Sequence, residues 1–441
     1  LTIDIMRYVV ESMIKIERGV QRMTEQVGRH FSFFHPERHT VHFKKNRAHG
    51  KCREGWGYFQ QGEFRRALGY FDEAVAIAPD YVEARVGRGR VHYALRDYAR
   101  ARADFAHALL RKHEHFEAQF WLGQALYALQ EYQQALTAYS RAIWLKPKDP
   151  AAYNNRGEVY VHWQDYKLAL ADFDKALKLS PGFALAYTNR GLVHLEMKHY
   201  KKALLDFRQA LALDPHQRRA YFGSGLALYA LKDYERAITF YQRSLALAPT
   251  CQAYNNLGLV LDACRKHEQA IEAYNRAIEL DAKSWAPYNN RGWSRYALND
   301  IAGALADFEW AIAVGQQKGY LAYLNRAWLA AERGEYAQAL EECQRILSWG
   351  MADPLIYAYR ARIRCWQGEY EQALADCARA LEIDPACAEA YGVRGLVYFQ
   401  QQDYEKARTD FEKARVLGHN LFWISEANSQ VSTGGKLAQP E

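Results

Sequence analysis

The chain has 441 residues, of which 49% are hydrophobic and 25% are charged, an ordinary globular composition. It contains no run of about 18 apolar residues, which argues against a transmembrane helix, and the charges in MRYVVESMIKIERG interrupt the apolar core that a secretion signal needs. The formal net charge of +7 is not concentrated in one stripe, which disfavours a nucleic-acid-binding protein.

Cysteine usage favours a reducing compartment. The chain has seven cysteines, an odd number, and none of them forms a C-x-x-C pair. Disulfide-stabilised proteins normally carry paired cysteines and reside outside the cytoplasm. The sequence therefore predicts a cytoplasmic protein.

Residues 1–47 precede the regular part of the chain. Residues 2–27 show apolar periodicity that predicts an amphipathic helix. Such a helix caps the first repeat of an array, although docking on a partner or a membrane stays open. The stretch FSFFHPERHTVHFKK, residues 31–45, reads as an irregular connector. His35 and His39 have i, i+4 spacing, but Pro36 lies between them, so no metal site and no cofactor is predicted.

Residues 48–421 form one repeating pattern with a period of 34 residues. Position 8 of each repeat is Gly or Ala, position 20 is always Ala, and position 24 is aromatic in nine repeats. Six repeats carry Pro at position 32, where a helix can end without losing a bonded N–H. The eleven repeats begin at residues 48, 82, 116, 150, 184, 218, 251, 285, 320, 354 and 388.

This pattern resembles the tetratricopeptide repeat. Each repeat has two stretches of apolar residues with helical periodicity, so we expect two helices that bury their apolar faces only by stacking on neighbouring repeats. The resemblance implies an all-α fold: a right-handed superhelical solenoid whose first helices line a concave groove. Residues 422–441, which include SQVSTGGKLAQPE, are expected to be the remnant of a C-terminal cap and a disordered tail.

Arginine at position 7 and a carboxylate at position 23 occur together. Seven repeats have both residues, and the four repeats without the arginine also lack the carboxylate. An unpaired arginine facing the core would cost several kcal/mol, so we expect an ion pair between the two helices of one repeat. A row of arginines that binds phosphate or carboxylate ligands is the alternative interpretation. The predicted pairs are Arg88–Asp104, Arg156–Asp172, Arg190–Asp206, Arg291–Asp307, Arg326–Glu342, Arg360–Asp376 and Arg394–Asp410.

Asparagine recurs at position 6 without an evident covarying partner. The five residues are Asn155, Asn189, Asn256, Asn290 and Asn325. Their row resembles the asparagine ladder in the superhelix of O-linked N-acetylglucosamine transferase, in which amide side chains hold the backbone of an extended substrate. A carboxamide can pair with both N–H and C=O groups, so the resemblance implies peptide binding. The alternative is that these residues hydrogen bond a neighbouring helix and help the repeats to stack.

Aromatic residues extend this candidate site. Trp293 and Trp328 at position 9 lie one helical turn from an asparagine, and Trp121 occupies position 6 of the third repeat. They are interpreted as ligand anchors, with burial between stacked repeats as the alternative. Gly223, at position 6 of the sixth repeat, is expected to leave a gap for a ligand side chain.

The sequence favours a non-enzymatic scaffold that binds an extended peptide or protein segment. Nucleotide-binding, hydrolase and metalloprotease motifs are missing, and no catalytic domain follows the repeats. No repeat has lysine at position 5, which disfavours recognition of EEVD-type chaperone tails by the family's carboxylate clamp. The alternatives are a substrate-recruiting or regulatory subunit of an enzyme complex and an RNA-binding helical solenoid. Self-association through the ends or the groove stays open.

Overall fold

A computed structural model describes residues 36–417, with side chains from residue 43 onward. The predicted helix over residues 2–27 and the C-terminal segment 422–441 lie outside the described residues. Within the described range every regular element is a helix, so the all-α prediction is confirmed. The chain divides into two compact bodies, an N-terminal body that ends at Val193 and a C-terminal body that begins at His194.

Each repeat contributes one pair of consecutive helices, as predicted, and α9 spans the boundary between the bodies along the chain. Up to that boundary the helices are α1 (Pro36–Gln60), α2 (Phe64–Ile77), α3 (Val82–Ala94), α4 (Tyr98–Arg111), α5 (Phe116–Ala128), α6 (Tyr132–Leu145), α7 (Pro150–His162), α8 (Tyr166–Leu179) and α9 (Ala184–Glu196). The later helices are α10 (Tyr200–Leu213), α11 (Arg218–Ala230), α12 (Tyr234–Leu247), α13 (Cys251–Ala263), α14 (His267–Leu280), α15 (Trp285–Ala297), α16 (Ile301–Gly315), α17 (Tyr320–Glu332), α18 (Tyr336–Ser348), α19 (Pro354–Gln367), α20 (Tyr370–Ile383), α21 (Ala388–Gln400) and α22 (Tyr404–Val416).

The first helix of the first repeat is longer than the repeat. Helix α1 begins at Pro36 and runs without interruption to Gln60. Residues 36–45 are therefore helical and not the irregular connector that the sequence predicts. Proline suits the first turn of a helix, where its missing N–H is not needed, and Glu37 follows it in the turn where a negative charge interacts favourably with the helix dipole.

Aspartate at position 16 begins many of the second helices. Its carboxylate accepts a hydrogen bond from the backbone N–H three residues later, for example Asp165 from Leu168 at 3.2 Å and Asp300 from Gly303 at 2.9 Å. This is the N-cap arrangement that satisfies an otherwise unpaired N–H group in the first turn. The polar turn in the sequence thus fixes where the second helix begins.

The turn between the two helices of a repeat has the same backbone conformation throughout. The residue at position 15 has a φ of 58° to 79° in all eleven repeats. Three repeats place Gly there, and the others use longer side chains such as Arg96, Gln164 and Lys232. A side chain other than Gly in the left-handed region costs roughly 1–2 kcal/mol, so most of the repeats carry some local strain at this turn.

We therefore expect the substitution Gln164→Gly to stabilise the chain. Relief of the left-handed strain exceeds the extra backbone entropy that Gly loses on folding, with a net gain of about 0.5 kcal/mol. Urea unfolding followed by circular dichroism tests this, with Gln133→Gly inside α6 as the control that loses stability. A loss of stability in Gln164→Gly would contradict the expectation.

Position 8 and position 24 of a repeat are complementary in size. A Cβ atom added to Gly157 would lie 2.7 Å from the ring of Phe173, and one added to Gly292 would lie 2.6 Å from the ring of Phe308. Both rings are fully buried. The ninth and tenth repeats have Ala327 and Ala361 at position 8, and there position 24 is cysteine instead of an aromatic residue. The second helix thus supplies either a large ring against glycine or a small side chain against alanine.

Candidate functional site

The arginines at position 7 lie against the carboxylates at position 23 of their own repeat. Arg156 donates from Nε to Asp172 Oδ2 at 2.8 Å and from Nη2 to Asp172 Oδ1 at 2.7 Å. The same two-bond geometry joins Arg88 to Asp104, Arg291 to Asp307, Arg360 to Asp376 and Arg394 to Asp410. Two parallel charge-assisted bonds are the strongest form of an arginine–carboxylate contact.

Two of the predicted pairs differ from this geometry. Arg326 makes one bond to Glu342, from Nη2 to Oε1 at 2.5 Å, and Arg326 Nε and Glu342 Oε2 are buried without a hydrogen-bond partner. The longer glutamate side chain reaches the guanidinium with one oxygen only. Arg190 and Asp206 belong to different bodies, so their pairing stays a prediction.

The carboxylates are buried and the arginines are half-buried. Asp172 is 6% exposed and Asp376 is 4% exposed. The hydrogen bonds from the aspartates raise the pKa of Arg156 and of Arg360 above the ordinary value. The guanidinium charge is thus neutralised inside the repeat. These residues act in the stacking of helices, and they are not arranged as an exposed row for anionic ligands.

The same arginines also reach the preceding repeat, which the sequence analysis missed. Arg156 Nη1 donates to Ser140 Oγ at 3.3 Å, and Arg190 Nη1 donates to Asp174 Oδ1 at 2.6 Å. The acceptor is always at position 25 of the preceding repeat, as in Arg88 to Asp72, Arg291 to Asn275 and Arg360 to Gln344. A polar residue at position 25 before an arginine-bearing repeat was the signal in the sequence.

The asparagines of position 6 hydrogen bond to asparagines of position 5. Asn189 Nδ2 donates to Asn154 Oδ1 at 3.0 Å, and Asn325 Nδ2 donates to Asn289 Oδ1 at 2.7 Å. The donor lies in each case one repeat after the acceptor, and Asn290 bonds Asn255 in the same way at 3.0 Å. Each asparagine at position 5 is followed by an asparagine at position 6 of the next repeat, a covariation that the sequence analysis did not detect.

These bonds separate the five asparagines into two groups. Asn189 and Asn325 are buried, 3% and 5% exposed. Their amides therefore contribute to the stacking of neighbouring repeats, the alternative interpretation of the row. Asn155, Asn256 and Asn290 are half-buried and present part of the side chain to solvent.

The tryptophans at positions 6 and 9 belong to a surface that we call the first-helix face, defined by positions 6 and 9 of the first helices. In the N-terminal body Trp121 makes an edge contact with Tyr93 at 5.4 Å between ring centroids. In the C-terminal body Trp328 contacts Tyr359 at 5.9 Å and Trp366 at 5.3 Å. Trp293 packs on Tyr296 of its own helix at 5.4 Å. The three predicted tryptophans are all half-buried.

Gly223 does not leave a gap on this face. A Cβ atom at Gly223 would lie 2.5 Å from Cζ of Phe207, a ring that is fully buried. The ring occupies the space that the missing side chain opens. The expectation of a vacant pocket for a ligand side chain at this position is therefore wrong.

Neither a metal site nor a membrane span is evident in the part of the chain that the structure describes. Among residues 43–417 no group of three or more His, Cys, Asp or Glu side chains is placed to hold a metal ion. None of the helices within residues 36–417 combines the length and the apolar character that a bilayer crossing requires.

Solved structures with similar folds are helical-repeat proteins. A tetratricopeptide repeat protein from Parabacteroides merdae is 17% identical and covers 56% of this chain and 99% of its own, with a TM-score of 0.46. Yeast Tom70 is 14% identical and covers 88% of this chain and 96% of its own, with a TM-score of 0.48. MamA from Desulfovibrio magneticus is 27% identical and covers 38% of this chain and 95% of its own, with a TM-score of 0.35.

Sequence comparison gives the family. Comparison with curated proteins finds no significant match. One family model described as tetratricopeptide repeat matches residues 52–109, 188–250, 289–354 and 362–418, more than half of the chain. A second model with the same description matches residues 150–183 and 252–284, and a model described as TPR repeat matches residues 117–162. The chain therefore belongs to the tetratricopeptide repeat family.

Proposed function

We propose that the chain binds an extended segment of a partner protein along the first-helix face of one or both bodies. Chains built of tetratricopeptide repeats are typically non-catalytic scaffolds for protein interaction, and this coarser role follows from the family. The finer proposal names the surface and the conformation of the ligand.

One observation carries the proposal: half-buried tryptophans recur at positions 6 and 9 of the first helices. Trp56 and Trp121 occur in the N-terminal body, and Trp293 and Trp328 occur in the C-terminal body. Tryptophan combines a large apolar area with one hydrogen-bond donor, and it is enriched among the residues that dominate binding energy. A half-buried ring is already oriented by its neighbours, so a ligand that covers it loses little additional entropy.

The half-buried asparagines supply the polar part of the proposed contact. Packed helices lie roughly 8–10 Å apart, and an extended peptide advances about 3.3 Å per residue. Asn155, Asn256 and Asn290 would then meet about every third peptide group of a ligand on their own body. Asn189 and Asn325 are buried in amide pairs, so we assign them to the support of the face and not to ligand contact.

Hydroxyl-radical footprinting of the full chain with a bound peptide tests the proposal. Peptides are first selected on the immobilised chain from random libraries of 12 residues. We expect the selected peptide to reduce oxidation of Trp121 or of both Trp293 and Trp328, because it covers their rings. Trp144 and Trp310 on the second helices are 58% and 59% exposed and serve as internal controls whose labelling stays unchanged.

Two outcomes would contradict the proposal. If the chain retains no peptide from the libraries, peptide binding is wrong. If the bound peptide protects Trp144 or Trp310 but none of the tryptophans of the first-helix face, the assigned surface is wrong.

A further inference from the structure

Arg90, at position 9 of the second repeat, lies between two tryptophan rings. Its guanidinium carbon is 4.6 Å from the ring centroid of Trp56 and 4.8 Å from that of Trp121. Phe59 adds a third ring at 5.4 Å. The faces of the guanidinium are thus covered by rings from the first and the third repeats. Such stacking attracts the cation and fixes the plane in which its N–H groups lie.

No carboxylate among the described residues hydrogen bonds this guanidinium. Nε of Arg90 is buried and has no hydrogen-bond partner. The terminal nitrogens also have no partner in the described part of the chain, but unlike Nε they are not closed off from solvent. The position-7 arginines are different, because Arg88 two residues earlier is held by both oxygens of Asp104.

The surroundings favour an anionic ligand at this point. Burial lowers the pKa of Arg90 from its ordinary value, and the charge of Glu117 partly opposes the shift. Glu117 itself accepts a hydrogen bond from Lys146 at 3.0 Å. A guanidinium without a local acid has lost part of its hydration and has not been compensated by a charge-assisted bond.

We infer that Arg90 is a recognition point for a carboxylate of the bound segment, held between Trp56 and Trp121 so that its terminal N–H groups face the ligand. One guanidinium matches one carboxylate in charge and in planar geometry. Phosphorylated groups carry nearly two charges and are bound by clusters of arginines, so a carboxylate fits this single cation better. The inference deepens the proposed function and rests on it.

The carboxylate has two sources, an Asp or Glu side chain and the C-terminus of the partner. Two random libraries of 12 residues separate them, one with free C-termini and one with amidated C-termini. Wild-type chain is expected to retain peptides with Asp or Glu enriched at one position in both libraries if the source is a side chain. Retention limited to the library with free C-termini identifies the terminal carboxylate.

Two measurements then test the role of Arg90. In the selected peptide the carboxylate is replaced by a carboxamide, and we expect wild-type affinity to fall about tenfold, as for the loss of one hydrogen bond to a charged group. In the protein, Arg90→Met is expected to cause a similar loss and to abolish the preference for the acid over the amide. The peptide replacement needs no protein variant, so it holds even if Arg90→Met folds poorly.

Two further variants are the controls. Arg100→Met removes the same charge from the second helix of the same repeat, where the side chain is 74% exposed, and is expected to leave affinity unchanged. Arg90→Lys keeps the charge without the planar fork and is expected to retain part of the acid preference.

The outcomes separate this inference from the proposed function. Retained peptides without acid enrichment, equal affinity for acid and amide, or an equal loss in Arg100→Met would overturn the role of Arg90 while the binding function stands. Failure of both libraries to yield any peptide would overturn the proposed function, and the inference with it.

Discussion

Replacing Asp172 by alanine is expected to lower the free energy of unfolding by about 3 kcal/mol, since breaking a buried ion pair leaves an uncompensated charge. Asp172 accepts both bonds from Arg156 and is 6% exposed. Without it, the half-buried guanidinium between α7 and α8 keeps only its contact with Ser140. The cost is the desolvation of an unpaired cation, which exceeds the value of the bonds themselves.

The double variant Arg156→Leu with Asp172→Ala is expected to recover most of this loss. Replacement of a whole buried pair by apolar residues is often neutral, and the third repeat already has Leu122 and Ala138 at the corresponding positions. Hydrogen exchange of the α7 and α8 amides in the full chain measures the change locally, because a repeat array need not unfold in one step. A double variant as unstable as Asp172→Ala would contradict the ion-pair interpretation.

The substitution Gly292→Ala is expected to destabilise the eighth repeat by about 2 kcal/mol through overpacking. Helix propensity alone favours alanine by roughly 1 kcal/mol, so the sign of the effect is informative. The added methyl group would lie 2.6 Å from the ring of Phe308, which is fully buried and has no room to move away. The clash therefore exceeds the gain in helix propensity.

A second substitution in the same repeat provides the control. Gly292→Ala with Phe308→Cys reproduces the pair Ala327 and Cys343 of the next repeat, and we expect it to be more stable than Gly292→Ala alone. Thermal unfolding followed by circular dichroism compares the three proteins. If Gly292→Ala raises the melting temperature, the size complementarity between positions 8 and 24 is not a constraint.

The fold could be predicted from the sequence because the chain carries its own alignment. The eleven repeats expose the small residue at position 8 and the alanine at position 20, and these positions defined the helix pairs. Coordinated changes between positions 7 and 23 also predicted contacts across one repeat. The same method could have found the link between positions 6 and 5 in neighbouring repeats, where Asn325 bonds Asn289.

The candidate site was less predictable because function depends on exposure. A repeated asparagine looks the same in the sequence whether its amide is buried, as in Asn189, or half-buried, as in Asn256. Burial depends on how closely successive helices approach, which the neighbouring repeats decide. Arg90 was missed for a related reason, since its aromatic neighbours Trp56 and Trp121 come from repeats on either side of its own.

The bridge from a position-7 arginine to the preceding repeat has a mechanical consequence. It is made by Arg88, Arg156 and Arg190 in the N-terminal body and by Arg291 and Arg360 in the C-terminal body. The third and seventh repeats have Leu122 and Leu257 instead and lack this bond. In a linear array each junction contributes its own coupling to cooperativity, so tightly coupled blocks alternate with compliant joints at which bending concentrates.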